Sequence, residues 1–260
     1  IIGVQTGTIF TEFISYLAVG EVALWGLTIL ALYVIFKPRL GEKKTLPEYS
    51  PWESIEDKKL FLRSFFILIL LVILFLALEN FGAGPEAIAL GCAILALVMS
   101  GLDPTEIFRR LDWETVFFIA AFMFVVGGLE QTGVLNDLST QLFQLAGNSS
   151  LRATLVTLWF SGLASSVVSN AAVALTFVPM LTRFSGLNDA ALKSALVFGT
   201  NLGGAATPLS GSVCIMALGA LRHEGILMSF REFTKVGLIT TMLQLAFASF
   251  YLIVRFGLGG

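Results

Sequence analysis

The sequence predicts an all-α polytopic membrane protein, and three observations carry that reading. Hydrophobic residues fill 56% of the 260 positions and charged residues only 13%, against roughly 25% charged in an average soluble domain. Mean hydropathy is +0.87. Long apolar runs recur along the whole chain, and about 20 such residues cross a hydrocarbon core of about 30 Å as a helix. The runs are continuously apolar rather than alternating with period 2, which excludes a barrel.

Taken in order, the chain opens IIGVQTGTIFTEF with neither a Met nor a basic signal-peptide start, and is expected to be an N-terminally truncated fragment. Tyr16 to Phe36 is the first run. A basic linker, 37–59, follows with Lys37, Arg39, Lys43, Lys44, Lys58 and Lys59, and Arg63 lies just beyond it. Leu60 to Leu78 and Ala87 to Met99 make two spans around the turn ENFGAGPE. Arg109 and Arg110 form a second basic cluster, and the Asp112-Trp113-Glu114 step marks a helix start with Trp113 at the interface. Val116 to Leu129 is the next span, and Val236 to Val254 the last, preceded by Arg222, Arg231 and Lys235. The positive-inside rule places all three basic clusters in the cytoplasm. Counting crossings between them leaves one run that must enter and leave on the same side.

Two runs are too long for a single crossing. Leu151 to Leu181 would extend about 45 Å at 1.5 Å per residue, and Ser165, Ser166, Ser169 and Asn170 gather at its centre. A re-entrant hairpin over about 151–183, with its tip near Ser169 and Asn170, fits both the length and the count. Irregular backbone at that depth must be buried in protein or line a wet cavity. The alternative is a tilted helix that uses its serines for packing. Ala191 to Leu221 is the other long run, with GTNLGGAATPLSGS at its centre. A continuous helix there would lose about 1 kcal/mol at each of Gly203 and Gly204 and about 3 at Pro208. Two half-helices joined by an unwound segment are expected over about 191–221. The glycines then permit close approach and unusual dihedrals, and freed carbonyls with Asn201, Thr207, Ser210 and Ser212 can coordinate an ion or substrate. A glycine-rich helix contact is the competing reading. A phosphate loop is disfavoured, since no GK[ST] follows.

SFREFTKVG, Ser229 to Gly237, introduces the last span as IFTEFISYL, Ile9 to Leu17, introduces the first, with Phe10, Glu12 and Phe13 opposite Phe230, Glu232 and Phe233. This echo divides the chain into the last helix of a first repeat (1–36), the linker, and a complete second repeat (60–260). Duplicated halves with broken helices meeting near the midplane are common in secondary transporters.

The segments LDWETVFFIAAFMFVVGGLEQTGVL, SNAAVALTFVPML and GTNLGGAATPLSGS, followed by SFREFTKVG, resemble the ion transporter superfamily. That superfamily includes citrate-type permeases, arsenite permeases, divalent anion/sodium symporters and some sodium/proton antiporters. The resemblance implies an inverted-repeat fold with one hairpin and one broken helix per half, and elevator-like alternating access, often in a homodimer. It also implies that Ser169 and Asn170 match the first two positions of a Ser-Asn-Thr tip motif contacting sodium and substrate, although Ala171 replaces the threonine. Thr207 and Pro208 match a Thr-Pro step, whereas Cys214 stands where related permeases tend to have asparagine.

The chemistry points the same way. Neither long run carries a carboxylate at its break, so the site offers neutral oxygens, amides and helix ends. Helix N-termini attract anions, while unwound carbonyls and C-terminal ends suit sodium. On the family resemblance, sodium would be held at Ser169, Asn170 and Thr207. Proton exchange calls for a titratable group within the membrane, and the candidates are Glu130 and Glu21. Two cysteines and a single His223 build neither a disulfide framework nor a metal site. An intramembrane hydrolase lacks a buried base beside Ser169 or Ser210, and a channel would call for symmetry or repeated filters. The expected function is a secondary active permease, not an enzyme, in the plasma membrane of a prokaryote. It would move a small anion, oxyanion or carboxylate with sodium or protons, and use no other cofactor and no nucleic acid. A sodium/proton antiporter of the same superfamily is the alternative, and an ion channel a more distant one.

Overall fold

The computed structural model describes residues 1–37, 57–78, 84–147, 149–181, 187–208, 212–223 and 227–257, with the single positions 52, 53, 55, 82 and 210. Most of the basic linker and the 182–186 end of the hairpin region lie outside the described residues. The chain is all-helical among those residues. It runs as α1 (Ile2–Thr6), α2 (Phe10–Phe36), α3 (Lys58–Leu78), α4 (Pro85–Ser100), α5 (Pro104–Arg110), α6 (Trp113–Gln131), α7 (Val134–Ala146), α8 (Ser150–Ser165), α9 (Asn170–Leu181), α10 (Asp189–Gly203), α11 (Ser212–His223) and α12 (Phe230–Leu252). A π-helical turn, Ile253–Gly257, extends α12.

Among the described residues four helices are long and apolar enough to cross a membrane: α2, α3, α6, and α12 with its extension. The two overlong runs are each divided. Leu151 to Leu181 becomes α8 and α9 around a turn at 166–169, and Ala191 to Leu221 becomes α10 and α11 around 204–211. Helices α5 and α7 carry no long apolar run. Asp103 caps α5, accepting from the Thr105 N–H at 2.8 Å, with Pro104 at the first helical position. Amphipathic α7 buries Leu135, Ser139 and Ala146 and exposes Asn136, Asp137, Thr140 and Gln144. Its polar stripe is why apolar length alone does not reveal it.

Side-chain contacts fix the directions of the helices. Phe10 meets Phe75 with ring centroids 5.6 Å apart, so the start of α2 lies by the end of α3. Arg63 Nη1 donates to Met99 O at 2.9 Å, setting α4 antiparallel to α3. Tyr251 OH donates to Tyr16 O and Gln244 Nε2 to Thr28 Oγ1, both at 2.7 Å, so α12 runs against α2. At the far end of α2, Ile35 and Phe36 face Lys235 and Val236 across a cavity. Another cavity sets Ile107 and Phe108 of α5 against Leu60 and Leu97. The described members of the three basic clusters therefore share one end of the bundle. Asn188 N donates to Ser150 Oγ at 3.1 Å at the opposite end, where α8 and α10 both begin.

The core sits between α8, α10, α12 and α2, where Leu158, Phe198, Leu245, Ala248, Leu252, Leu17 and Leu24 are buried together. The parallel pair α8 and α10 is in backbone contact. A Cβ on Gly199 would stand 2.0 Å from Ser161 Oγ and 2.6 Å from Leu158 O, and one on Gly203 would stand 2.1 Å from Gly162 O. This corrects the expectation of unusual dihedrals at the break. Gly204 is right-handed, with φ −62° and ψ −10°, and Gly203 is the last residue of α10. Neither has a positive φ. Gly203 serves the helix contact, and what it supplies is space.

Candidate functional site

The hairpin tip and the helix break meet. Because α8 and α10 start side by side and run parallel, the end of α8 and the end of α10 arrive at the same depth. Ser165 Oγ, fully buried, donates to Thr200 O at 2.8 Å and ties the two ends together. The chain then turns through Ser166, Val167 and Val168. Ser169 caps α9, accepting from the Ala172 N–H at 3.3 Å. Asn170 opens α9, is exposed, and accepts from the Ala171 N–H through Oδ1 at 2.9 Å.

Across from the tip, Thr207 Oγ1 donates to Ser166 O at 2.7 Å, which joins the break to the hairpin. A Cβ on Gly204 would stand 3.4 Å from Asn170 Cβ. Ser210, fully buried, lies 2.8 Å from Gly204 O and 2.6 Å from Thr207 O, and its one proton serves one carbonyl at a time. Cys214 Sγ approaches Gly204 O at 3.5 Å. Pro208 is buried, and Ser212 is the first residue of α11. Asn201 stands exposed on the last turn of α10. Of the residues expected from the sequence, Ser169, Asn170, Gly204, Thr207, Pro208 and Ser210 gather around this junction, with Asn201 at its edge. Glu130 does not join them. It is exposed in the last turn of α6, next to α7.

Electrostatics at the junction come from helix ends. α8 and α10 bring their C-termini, each equivalent to about half a negative charge, and α9 and α11 bring N-termini of opposite sign. Thr207 donates its proton to Ser166 O and keeps its oxygen lone pairs free to accept a cation. Both charge signs can thus be met without a charged side chain.

Some supporting residues are not legible from composition or spacing. Thr241 Oγ1 donates to Leu202 O at 3.2 Å, holding the C-terminal carbonyls of α10 from α12. Gly237 lets Ala206 O come so close that a Cβ there would stand 2.3 Å away. A glycine inside a helix costs about 1 kcal/mol relative to alanine, and Gly237 lies in the interior of a 23-residue helix. That cost was the available signal.

Long apolar helices, a helical hairpin and a broken helix meeting at a polar junction define an all-α polytopic membrane protein. Residues 1–194 match the CitMHS citrate transporter family, to which the chain belongs. An uncharacterized transporter of Mycobacterium tuberculosis is 30% identical over 209 residues, covering 78% of this chain and 49% of that protein. An uncharacterized transporter of Synechocystis is 27% identical over 277 residues, covering 96% and 62%. The arsenical pump membrane protein of Escherichia coli is 27% identical over 242 residues, covering 90% and 56%. The chain thus spans about half of the first of these relatives. No solved structure matches it.

Proposed function

We propose that the chain belongs to a secondary active transporter that moves a small anion, a carboxylate or oxyanion, together with sodium or protons. The observation that carries this reading is the Thr207–Ser166 bond, which brings two N-terminal and two C-terminal helix ends to one junction. N-terminal ends offer N–H groups to an anion, and C-terminal ends and hydroxyl oxygens offer ligands to a cation. Sodium would sit on Ser169, Asn170 and Thr207, with the anion on the α9 and α11 ends beside Asn201. Membership of a citrate transporter family, similarity to an arsenical pump membrane protein and the resemblance to arsenite permeases make citrate and arsenite the first substrates to try.

The inverted-repeat reading is supported by α2 and α12. They begin at the matched Phe10 and Phe230 and pack antiparallel through Thr28 and Gln244, as a two-fold axis in the membrane plane would arrange them. On this reading 1–36 closes one repeat, 37–59 is the linker and 60–260 is the other repeat, whose hairpin and broken helix move together against a scaffold. A matching half-site would be supplied by the first repeat, and a homodimer and a prokaryotic plasma membrane follow from the family resemblance. The test is uptake of citrate and arsenite into liposomes holding the full-length protein, with sodium and pH gradients imposed separately. Saturable uptake that follows one gradient and is lost in Asn170→Ala supports the proposal. Large single-channel currents independent of both gradients would overturn it.

A further inference from the structure

Two cavities at the basic end share one wall. The first, about 360 Å³, lies between the end of α2 and the start of α12, among Ile35, Phe36, Lys235, Val236 and Ile239. The second, about 450 Å³, lies along α11, among Ile215, Leu218, Gly219 and Arg222. Leu227 and Met228 line both. Each cavity therefore has apolar walls and one basic residue, with Glu232 also on the first, and Leu227 and Met228 form the ridge of wall that the two share. Among the described residues neither Lys235 nor Arg222 is paired with a carboxylate. The acid that also lines the first cavity, Glu232, is held in the helix cap, where Oε2 accepts from Ser229 N at 3.1 Å and Ser229 Oγ at 3.0 Å.

We propose that this double cavity is a site for one two-chain anionic phospholipid of the leaflet at the basic end. Its phosphate would lie between Lys235 and Arg222, with one acyl chain in each cavity and the Leu227-Met228 ridge between the chains. Three features select this occupant. Leu227 is 78% exposed, which is unfavourable against water and favourable between acyl chains. The net charge of the described residues there is positive, since Arg231 and Lys37 are exposed at the same end and with Lys235 and Arg222 outnumber the one carboxylate, Glu232. Positive-inside topology sets that end against the leaflet that carries anionic lipid, and basic pockets between membrane helices are suited to such headgroups. A helix from a protein partner would have to straddle the ridge, whereas two flexible chains pass on either side of it. A free anion would make no use of the apolar walls.

The test is native mass spectrometry of the full-length protein with phosphatidylglycerol, with phosphatidylcholine of the same chains, and with inorganic phosphate. Retained phosphatidylglycerol, with little phosphatidylcholine, is expected. Each of Lys235→Gln and Arg222→Gln should weaken that retention about five-fold, and the double variant about thirty-fold. Both positions are exposed, so the fold should persist, and an unchanged melting temperature checks it. Met228→Trp, which narrows both cavities at their shared wall and keeps the charges, should weaken lipid retention too. Equal retention of the two lipids, wild-type retention in the double variant, or displacement by inorganic phosphate at lipid-like concentration would each overturn the assignment. Because the readout is lipid retention rather than flux, it stands or falls independently of the transport reading.

Discussion

Gly237→Ala tests whether the backbone at the break, rather than its composition, makes the site. The new Cβ would stand 2.3 Å from Ala206 O, 2.9 Å from Ala206 C and 3.0 Å from Ala205 O. Relief calls for a shift of about 1 Å, and the atoms met are main-chain atoms that cannot rotate away. α12 is itself fixed on the same side by Thr241 on Leu202 O and by Leu245 against Gly162. The break must therefore give, and the 2.7 Å bond from Thr207 to Ser166 O lies one residue from the collision. Overpacking of this kind costs about 1–3 kcal/mol of stability. Displacing a preorganised ligand set should also lower substrate affinity about ten- to a hundred-fold, equivalent to about 1.4–2.8 kcal/mol. The control is Gly26→Ala inside α2, where an added Cβ meets nothing within 4 Å. It should gain up to about 1 kcal/mol of helix stability and leave transport unchanged. Substrate titration at several sodium concentrations and pH values, together with thermal unfolding of the purified protein, reads both effects. Wild-type affinity and ion dependence in Gly237→Ala would refute the claim that this backbone forms the site.

Thr207→Val, nearly isosteric but without the hydroxyl, should leave Ser166 O unpartnered and lower cation affinity at least ten-fold, about 1.4 kcal/mol, measured as the sodium or proton dependence of substrate binding. Asn170→Ala removes an exposed side chain, so thermal stability should change by no more than about 0.5 kcal/mol while flux is lost. Gly203→Ala should act on assembly first, because its Cβ would stand 2.1 Å from Gly162 O. A fall in melting temperature larger than in Gly219→Ala, where nothing lies within 4 Å, is the expected reading. For topology, a cysteine at Asn188 should be labelled from outside intact cells and one at Lys235 spared, since the two sit at opposite ends of the bundle.

Much of the framework was legible because the bilayer imposes a length on every helix. The runs at 151–181 and 191–221 exceed that length, and polar or glycine-rich centres marked where each divides. What the sequence did not reveal depends on partners distant along the chain. Gly203 reads as part of a break until Gly162 is found against it. Thr207 reads as a free ligand until its proton is seen on Ser166, 41 residues earlier. Gly237 offers no local reason to be glycine, since its reason is the carbonyl of Ala206. Helices α5 and α7 escaped notice on a different ground: α7 divides polar from apolar around its axis and α5 is only seven residues long, and counting apolar length along the chain detects neither.

The break touches α12 at Gly237, the eighth residue of a helix that runs from Phe230 to Gly257. At 1.5 Å per residue, the junction lies about a quarter of the way along that helix from its basic end. If the transmembrane voltage falls evenly along it, an ion arriving from the opposite side crosses about three quarters of the drop before binding. Each elementary charge moved through 100 mV carries about 2.3 kcal/mol, so about 1.7 kcal/mol of that falls on the way to the junction. With the basic end negative, 100 mV would raise cation occupancy from the far side by more than ten-fold. The membrane potential would then be registered mainly as apparent cation affinity, and only weakly as the rate of the remaining step between the junction and the basic end.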